Sequence, residues 1–181
     1  NNVFLKTYGT GTIADNSCLG QGARRIAHKL TWGGSYDNWD FDHTRFILNF
    51  GSNVMEADIN HIALASRLAS ALTNRNLKMV TFDVRLSNTA AKSNDWIQIK
   101  PGTDAAVILA MCNVVMAKRL YTGPGESFLE FCQVTPNANA SIEDKIAALT
   151  SHLKTYTPEW AEEISGVSAK QIRDIAIEFA K

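Results

Sequence analysis

Phe46-Ile47-Leu48-Asn49-Phe50-Gly51-Ser52-Asn53, with Ile59 to Leu72 and Lys78-Met79-Val80-Thr81-Phe82-Asp83 after it, is the stretch that decides the fold. The first run is short and apolar and stops at a Gly-Ser-Asn turn, which predicts a strand. Ile59, Ile62, Ala63, Leu68, Ala69 and Leu72 recur at helical spacing. Lys78 to Phe82 predicts a second strand, and Trp96-Ile97-Gln98-Ile99 a third, ended by Pro101-Gly102. Strands alternating with helices predict an α/β class, a doubly wound, mainly parallel sheet flanked by helices. Such sheets take ligands at the carboxyl ends of their strands. Here those ends carry Gly51, Ser52 and Asn53, then Asp83 and Arg85, then Asp104.

Outward from this unit, Val3 to Leu5 reads as a short strand and Gly9 to Thr12 as a loop. Its lone Gly-x-Gly is a weak phosphate-loop signal. Ser17 is a candidate cap for a helix over Leu19 to Leu30, with Ala23, Ile26, Ala27 and Leu30 on one face. Trp32, Tyr36 and Trp39 sit in a loop that they are expected to pack onto the domain. Beyond the second strand, Arg85 to Asp95 is a polar loop. Thr103 caps a helix over Ala105 to Met116 that is apolar nearly all round, hence well buried. The C-terminal part is helical: Glu126 to Cys132, Ile142 to Leu153 behind Ser141, a helix opened by Thr157-Pro158-Glu159 and ended by Gly166, and Ala169 to Ala180 behind Ser168. On the last helix Ile172, Ile175, Ala176 and Phe179 are expected to face the core.

The 181 residues suffice for a single domain over 1–181 with a real core. Lys plus Arg balance Asp plus Glu at 18 each, which argues against a broad nucleic-acid footprint. No apolar run is long enough to span a membrane. The N-terminus lacks a secretory leader pattern, so the protein is expected not to be exported, or the chain to begin downstream of its true start. Cys18, Cys112 and Cys132 are far apart and form no C-x-x-C pair. His28, His43, His61 and His152 form no H-x-x-x-H pair. Neither set predicts a zinc site or a disulfide framework.

In series, Phe50-Gly51-Ser52-Asn53, Phe82-Asp83-Val84-Arg85, Thr89-Ala90, Ser93-Asn94 before Trp96, and Lys100-Pro101-Gly102-Thr103-Asp104 resemble the molybdopterin oxidoreductase family. Dimethyl sulfoxide reductase, formate dehydrogenase and periplasmic nitrate reductase typify it. Its members show G-x-N, D-P-R, T-A-x-x-A-D and P-G-T-D-x-A in this order. Tyr156 to Val167 also resembles a helical segment of the family, so the likeness runs from about Cys18 to Lys181. Val84 stands where the family has proline, Ser93 for an alanine, and Asn94 for an aspartate whose charge is thereby lost unless Asp95 supplies it. Family enzymes are several times longer, so the chain looks like one domain of a larger catalytic subunit.

The resemblance implies a molybdopterin guanine dinucleotide with molybdenum or tungsten, bound by Gly51, Ser52, Asn53, Asp83, Arg85, Gly102 and Asp104. Physical chemistry supports such roles. A glycine turn lets amides approach phosphate, and a helix start favours an anion. Asp83 lies where dinucleotide folds place an acid. A carboxylate at Asp104 suits the N1–H and amino donors of guanine. The plainer alternatives stay open: Gly51 only turns the chain, Asp83 pairs with Arg85, and Asp104 only complements its helix. Cys18 lies ahead of the Gly51 turn where cysteine-type members place a metal ligand, and a thiolate at a helix start suits such a metal; the alternative is a buried structural cysteine. Cys112 and Cys132 are expected in the core.

By the same likeness, the full-length protein is expected to act on a small oxyanion of sulfur or arsenic. It would work with the rest of the catalytic subunit, an iron–sulfur cluster outside this chain and an iron–sulfur electron-transfer subunit, in a prokaryotic periplasmic or membrane-associated complex. The isolated chain would be inactive. Two alternatives are a domain of the non-catalytic large subunit of a respiratory dehydrogenase, where Cys18 has no role, and a generic NAD-binding domain, which the missing G-x-G-x-x-G opposes.

Overall fold

The computed structural model describes residues 2–11, 22–34, 39–57, 61–137 and 139–181. The chain divides into two compact units, Asn1–Asp40 and Phe41–Lys181.

The first unit holds helix α1 (Asn2–Tyr8) and helix α2 (Gly22–Trp32). The strand expected over Val3 to Leu5 is therefore helical. Phe4 and Tyr8, four residues apart, stack with ring centroids 6.0 Å apart, a contact that helical spacing brings about. On α2, Ile26 and Leu30 are exposed, so the apolar face expected there is not a buried one. Ser17 and residues 19–21 lie outside the described residues.

The second unit holds the sheet. Strands β1 (Phe46–Phe50), β2 (Lys78–Asp83) and β3 (Asp95–Gln98) lie in the order β1-β2-β3. Both pairings are parallel, with Phe50 opposite Phe82 and Asp83 opposite Gln98. All three carboxyl ends thus open on one edge. Helix α3 (His61–Asn74) joins β1 to β2. It buries Leu68 and Ala71, whereas Ile62 is exposed, so the buried stripe is rotated from the one the spacing suggested. The polar loop expected between β2 and β3 contains a one-turn helix, α4 (Asn88–Ala91).

Beyond β3 come α5 (Asp104–Ala117), α6 (Pro124–Phe131), α7 (Ile142–Leu153), α8 (Pro158–Ser165) and α9 (Ala169–Phe179). Ser141, Thr157 and Ser168 each accept from the backbone N–H three residues on, as their sequences require. Thr103 does not: its hydroxyl donates to Lys100 O at 2.7 Å, so it closes the preceding turn and leaves the start of α5 uncapped by a side chain.

The core joins Val80, Phe82, Ile97 and Ile99 to Val107, Ala110 and Val114 of α5, Ala161 of α8, and Ile172 and Ala176 of α9. Phe50 stacks on Phe82 at 4.6 Å between ring centroids. Strand neighbours alternate in face. Thr81, between Val80 and Phe82, accordingly meets Ser93 beyond α4 at 2.5 Å between hydroxyls. Helices therefore cover both faces of the sheet. Phe179, expected in the core, is half exposed and meets Phe46 edge-on at 5.8 Å.

Candidate functional site

The carboxyl edge is built from three turns. After β1, Gly51 adopts φ +64, a left-handed conformation that glycine takes without strain. Its N–H donates to Phe82 O at 2.9 Å, extending the ladder by one bond. Beneath it the buried Asn49 amide donates to Ser52 O at 2.9 Å and to Thr81 Oγ1 at 3.3 Å. Gly51 and Ser52 are exposed, and a Cβ at Gly51 would meet nothing within 4 Å.

Asn53 faces inward. Its Oδ1 accepts from Thr89 Oγ1 at 2.8 Å, and its Nδ2 donates to Glu56. Thr89 in turn accepts from Met55 N at 3.0 Å. The turn after β1 is thus fastened to α4, which follows β2.

Asp83 ends β2 and is buried. Its Oδ2 accepts from Ser87 Oγ at 2.8 Å and its Oδ1 from Arg85 N at 3.4 Å. Its carbonyl takes Trp96 Nε1 at 3.2 Å and Ile99 N at 3.3 Å. The pairing with Arg85 that residue types allowed is therefore with the Arg85 backbone. The Arg85 guanidinium is exposed and lies 3.7 Å from Glu56 Oε2. Val84 and Leu86 on either side of it are also exposed.

After β3, Gly102 turns the chain at φ +75 with open space about it. Asp104 opens α5, partly buried, and among the described residues no donor or cation reaches its carboxylate. The sheet therefore brings Gly51, Ser52, Asn53, Asp83, Arg85, Gly102 and Asp104 to one edge.

Cys18 lies outside the described residues. Cys112, expected in the core, is exposed on α5, with enough protein around its thiol to push the pKa up by burial. Cys132 is half buried, and its Sγ contacts Phe128 O at 3.4 Å. Among the described residues no group of three His, Cys, Asp or Glu side chains is placed to hold a metal ion, and no helix is long and apolar enough to cross a membrane. An apolar cavity of about 520 Å³ between β1, α5, α7 and α9 is lined by none of the residues expected at the edge.

The sequence reading missed Glu56, Ser87, Asn88 and Asn49. Ser87 had a signal, a serine three residues before Ala90 at a helix start. Glu56 had none beyond its spacing from Asn53, because Asn88 and Arg85 reach it from a loop distant in the chain.

A molybdopterin nucleotide asks for a cation near phosphate, backbone amides free to approach, and an acceptor for guanine. The exposed Arg85 guanidinium, the open Gly51–Ser52 turn and the unpartnered Asp104 carboxylate fit that set. The Asn53 and Asp83 side chains are engaged in holding turns.

Comparisons with known proteins identify the family. The molybdopterin oxidoreductase family model matches residues 3–150. The chain is 34% identical over 161 residues to the thiosulfate reductase molybdopterin-containing subunit PhsA of Salmonella typhimurium, covering 87% of this chain and 18% of that protein. It is 32% identical over 152 residues to the dimethyl sulfoxide reductase DmsA of Haemophilus influenzae, covering 77% and 18%. It is 30% identical over 168 residues to the arsenate respiratory reductase subunit ArrA of a Shewanella strain, covering 83% and 19%. The solved structure of acetylene hydratase from Pelobacter acetylenicus is similar at a TM-score of 0.73 and 26% identity, covering 97% of this chain and 22% of that one. The chain thus spans about a fifth of the length of these relatives, as the shares of 18% to 22% state. On the family match and the shared fold, the chain belongs to the molybdopterin oxidoreductase family.

Proposed function

We propose that the carboxyl edge of the sheet holds the nucleotide end of a molybdopterin guanine dinucleotide, and that residues 1–181 serve as one Rossmann-like cofactor-binding domain of a molybdenum or tungsten oxidoreductase. The observation that carries this reading is the Asp104 carboxylate. It is partly buried, has no partner among the described residues, and stands on the same edge as Arg85 and the Gly51–Ser52 turn. A lone carboxylate there is an acceptor awaiting donors, and guanine presents two side by side.

Arg85 neutralises phosphate. The amides at Ser52 and Gly102 approach the pyrophosphate closely because no side chain intervenes at Gly51 and Gly102, the Gly51 amide itself being held by Phe82 O. Asn53 and Asp83 act chiefly by fixing the turns that carry these groups. Cys18 serves as the protein's ligand to the metal. When bound, the cofactor supplies two-electron redox chemistry, and the protein supplies binding and orientation.

The substrate is a small oxyanion of sulfur or arsenic, in keeping with the names of the thiosulfate and arsenate reductases among the relatives. The same likeness supports a longer catalytic subunit carrying an iron–sulfur cluster. It also supports an iron–sulfur partner subunit in a periplasmic or membrane-associated complex, and anaerobic respiration as the setting. The 181-residue chain alone then turns over nothing.

The test is chemical analysis of the purified full-length protein. It is expected to contain molybdenum or tungsten, and to release guanine nucleotide on acid denaturation. Protein that is folded and active but free of both refutes the reading.

A further inference from the structure

Two amides hold the Glu56 carboxylate. Asn53 Nδ2 donates to Oε2, and Asn88 Nδ2 donates to Oε1. Asn53 belongs to the turn after β1 and Asn88 to α4, so one carboxylate bridges two neighbouring turns of the carboxyl edge. Thr89 closes the same bridge through Asn53 Oδ1 at 2.8 Å and Met55 N at 3.0 Å. Neutral donors, one on each oxygen, therefore fix where the Glu56 charge sits.

Arg85 stands against that charge but is not locked to it. The nearest approach, 3.7 Å, is longer than a hydrogen bond, and the side chain is 65% exposed. The Arg85 backbone is pinned independently, its N–H by Asp83 Oδ1 at 3.4 Å and its carbonyl by Ser87 N at 2.9 Å. With its root fixed and one edge turned toward Glu56, the guanidinium keeps further N–H donors open to a second partner. Phosphate, which a guanidinium grips through two parallel bonds, is the stronger partner.

We propose that Glu56 is a positioning residue for an anion site at this edge: it keeps one edge of the Arg85 guanidinium against the turn after β1 in the free and the bound state, so that the remaining N–H donors take a phosphate or pyrophosphate, while itself staying locked by Asn53 and Asn88. The inference rests on the reading of Arg85 as a phosphate-binding residue. It also makes a prediction opposite in sign to simple electrostatics. An acid beside an anion site repels the anion, so its removal should tighten binding. If Glu56 pre-organises Arg85, its removal weakens binding instead, because the side chain must then be ordered by the ligand.

The test is calorimetric titration of cofactor-free full-length protein with inorganic pyrophosphate. Four proteins are compared: the parent, Glu56→Ala, Arg85→Ala and the double variant. Arg85→Ala is expected to weaken binding about tenfold. Glu56→Ala is expected to weaken it about fivefold, and to weaken it no further in the Arg85→Ala background. Equal or tighter binding by Glu56→Ala overturns the inference, and so does an equal loss in both backgrounds, which marks a merely structural role. Undiminished binding by Arg85→Ala shows instead that the edge is not an anion site through Arg85, and the inference falls with it. If Glu56→Ala does not fold, Glu56→Gln enters the same cycle, since it keeps an acceptor for one amide while losing the charge.

Discussion

Ser87 Oγ donates to Asp83 Oδ2 at 2.8 Å while accepting from Ala90 N at 3.2 Å, so the last residue of β2 orients the cap of the helix that follows it. Both residues are buried, at 9% and 1% exposure. The carboxylate that marks the end of the strand is thus also what shapes the loop carrying Arg85.

Asp83→Ala should destabilise the protein, because it strips Ser87 Oγ and Arg85 N of an acceptor in a buried place. Hydrogen bonds to a charged group contribute roughly 1.5–3 kcal/mol, and a loss in that range is expected. Asp83→Asn keeps an acceptor oxygen and should retain part of it. Urea unfolding of the three proteins decides: equal midpoints for parent and Asp83→Ala would show that the contact contributes nothing.

Gly51→Ala isolates backbone strain. A Cβ there meets no atom within 4 Å, yet φ is +64. The expected loss is about 1–2 kcal/mol, from the left-handed conformation alone. Gly51→Asn, which tolerates that conformation better, should lose less. If both variants unfold at the parent's denaturant concentration, the turn has relaxed to another conformation.

Lys78 anchors the opposite edge of the sheet. Its Nζ lies 2.7 Å from Glu178 Oε2 and 3.4 Å from Asp95 Oδ2. The hydrogen bond to Glu178 leads in raising its pKa above the ordinary 10.5, with partial desolvation opposing and the charges of Glu178 and Asp95 adding. A pKa raised by folding means stability that is fully present below the unfolded value and lost as pH rises through the folded one. The loss therefore falls in the alkaline range above 10.5. The lysine side chain is 32% exposed and solvent screens the cluster, so about 0.5–1 kcal/mol is expected. Lys78→Met should remove that part of the alkaline decline. Unfolding midpoints that fall equally steeply in both proteins through this range would exclude the cluster as its source.

The strands were legible because their apolar runs are short and end at turn residues: Phe46–Phe50 matches the expected range, Lys78–Asp83 runs one residue further at its end, and Asp95–Gln98 starts and ends one residue early. The caps at Ser141, Thr157 and Ser168 were legible because a cap depends only on residues within one turn. Thr103 failed the same rule because a nearby carbonyl, Lys100 O, competed for its hydroxyl. The stripe on α3 was misread because Ile62 is apolar in a place where no core reaches it. The edge residues were named from motifs, but what Asn53 and Asp83 do there depends on Thr89, Glu56 and Ser87. Glu56 and Ser87 lie within four residues of the side chains they hold, but Thr89 reaches Asn53 from 36 residues away, and only the formed sheet brings those turns together.

Asp104 gives the sharpest test of the site. Asn53 and Asp83 are tied into the protein, so replacing them would disturb the fold and the edge together. Asp104 is tied to nothing among the described residues, so its replacement should act on the ligand alone. Its contribution to α5 is limited to complementing the helix dipole, roughly 0.3–1 kcal/mol. Two charge-assisted bonds to guanine would each contribute roughly 1.5–3 kcal/mol, so losing them should weaken cofactor binding by at least tenfold. Glu178 provides the control. It too is a carboxylate on a helix, but it is bound to Lys78 at the other edge of the sheet. In the full-length enzyme, Asp104→Ala is expected to lower the guanine nucleotide released on denaturation while leaving the unfolding temperature nearly unchanged. Glu178→Ala should do the reverse. If both variants release as much nucleotide as the parent, Asp104 serves only its helix.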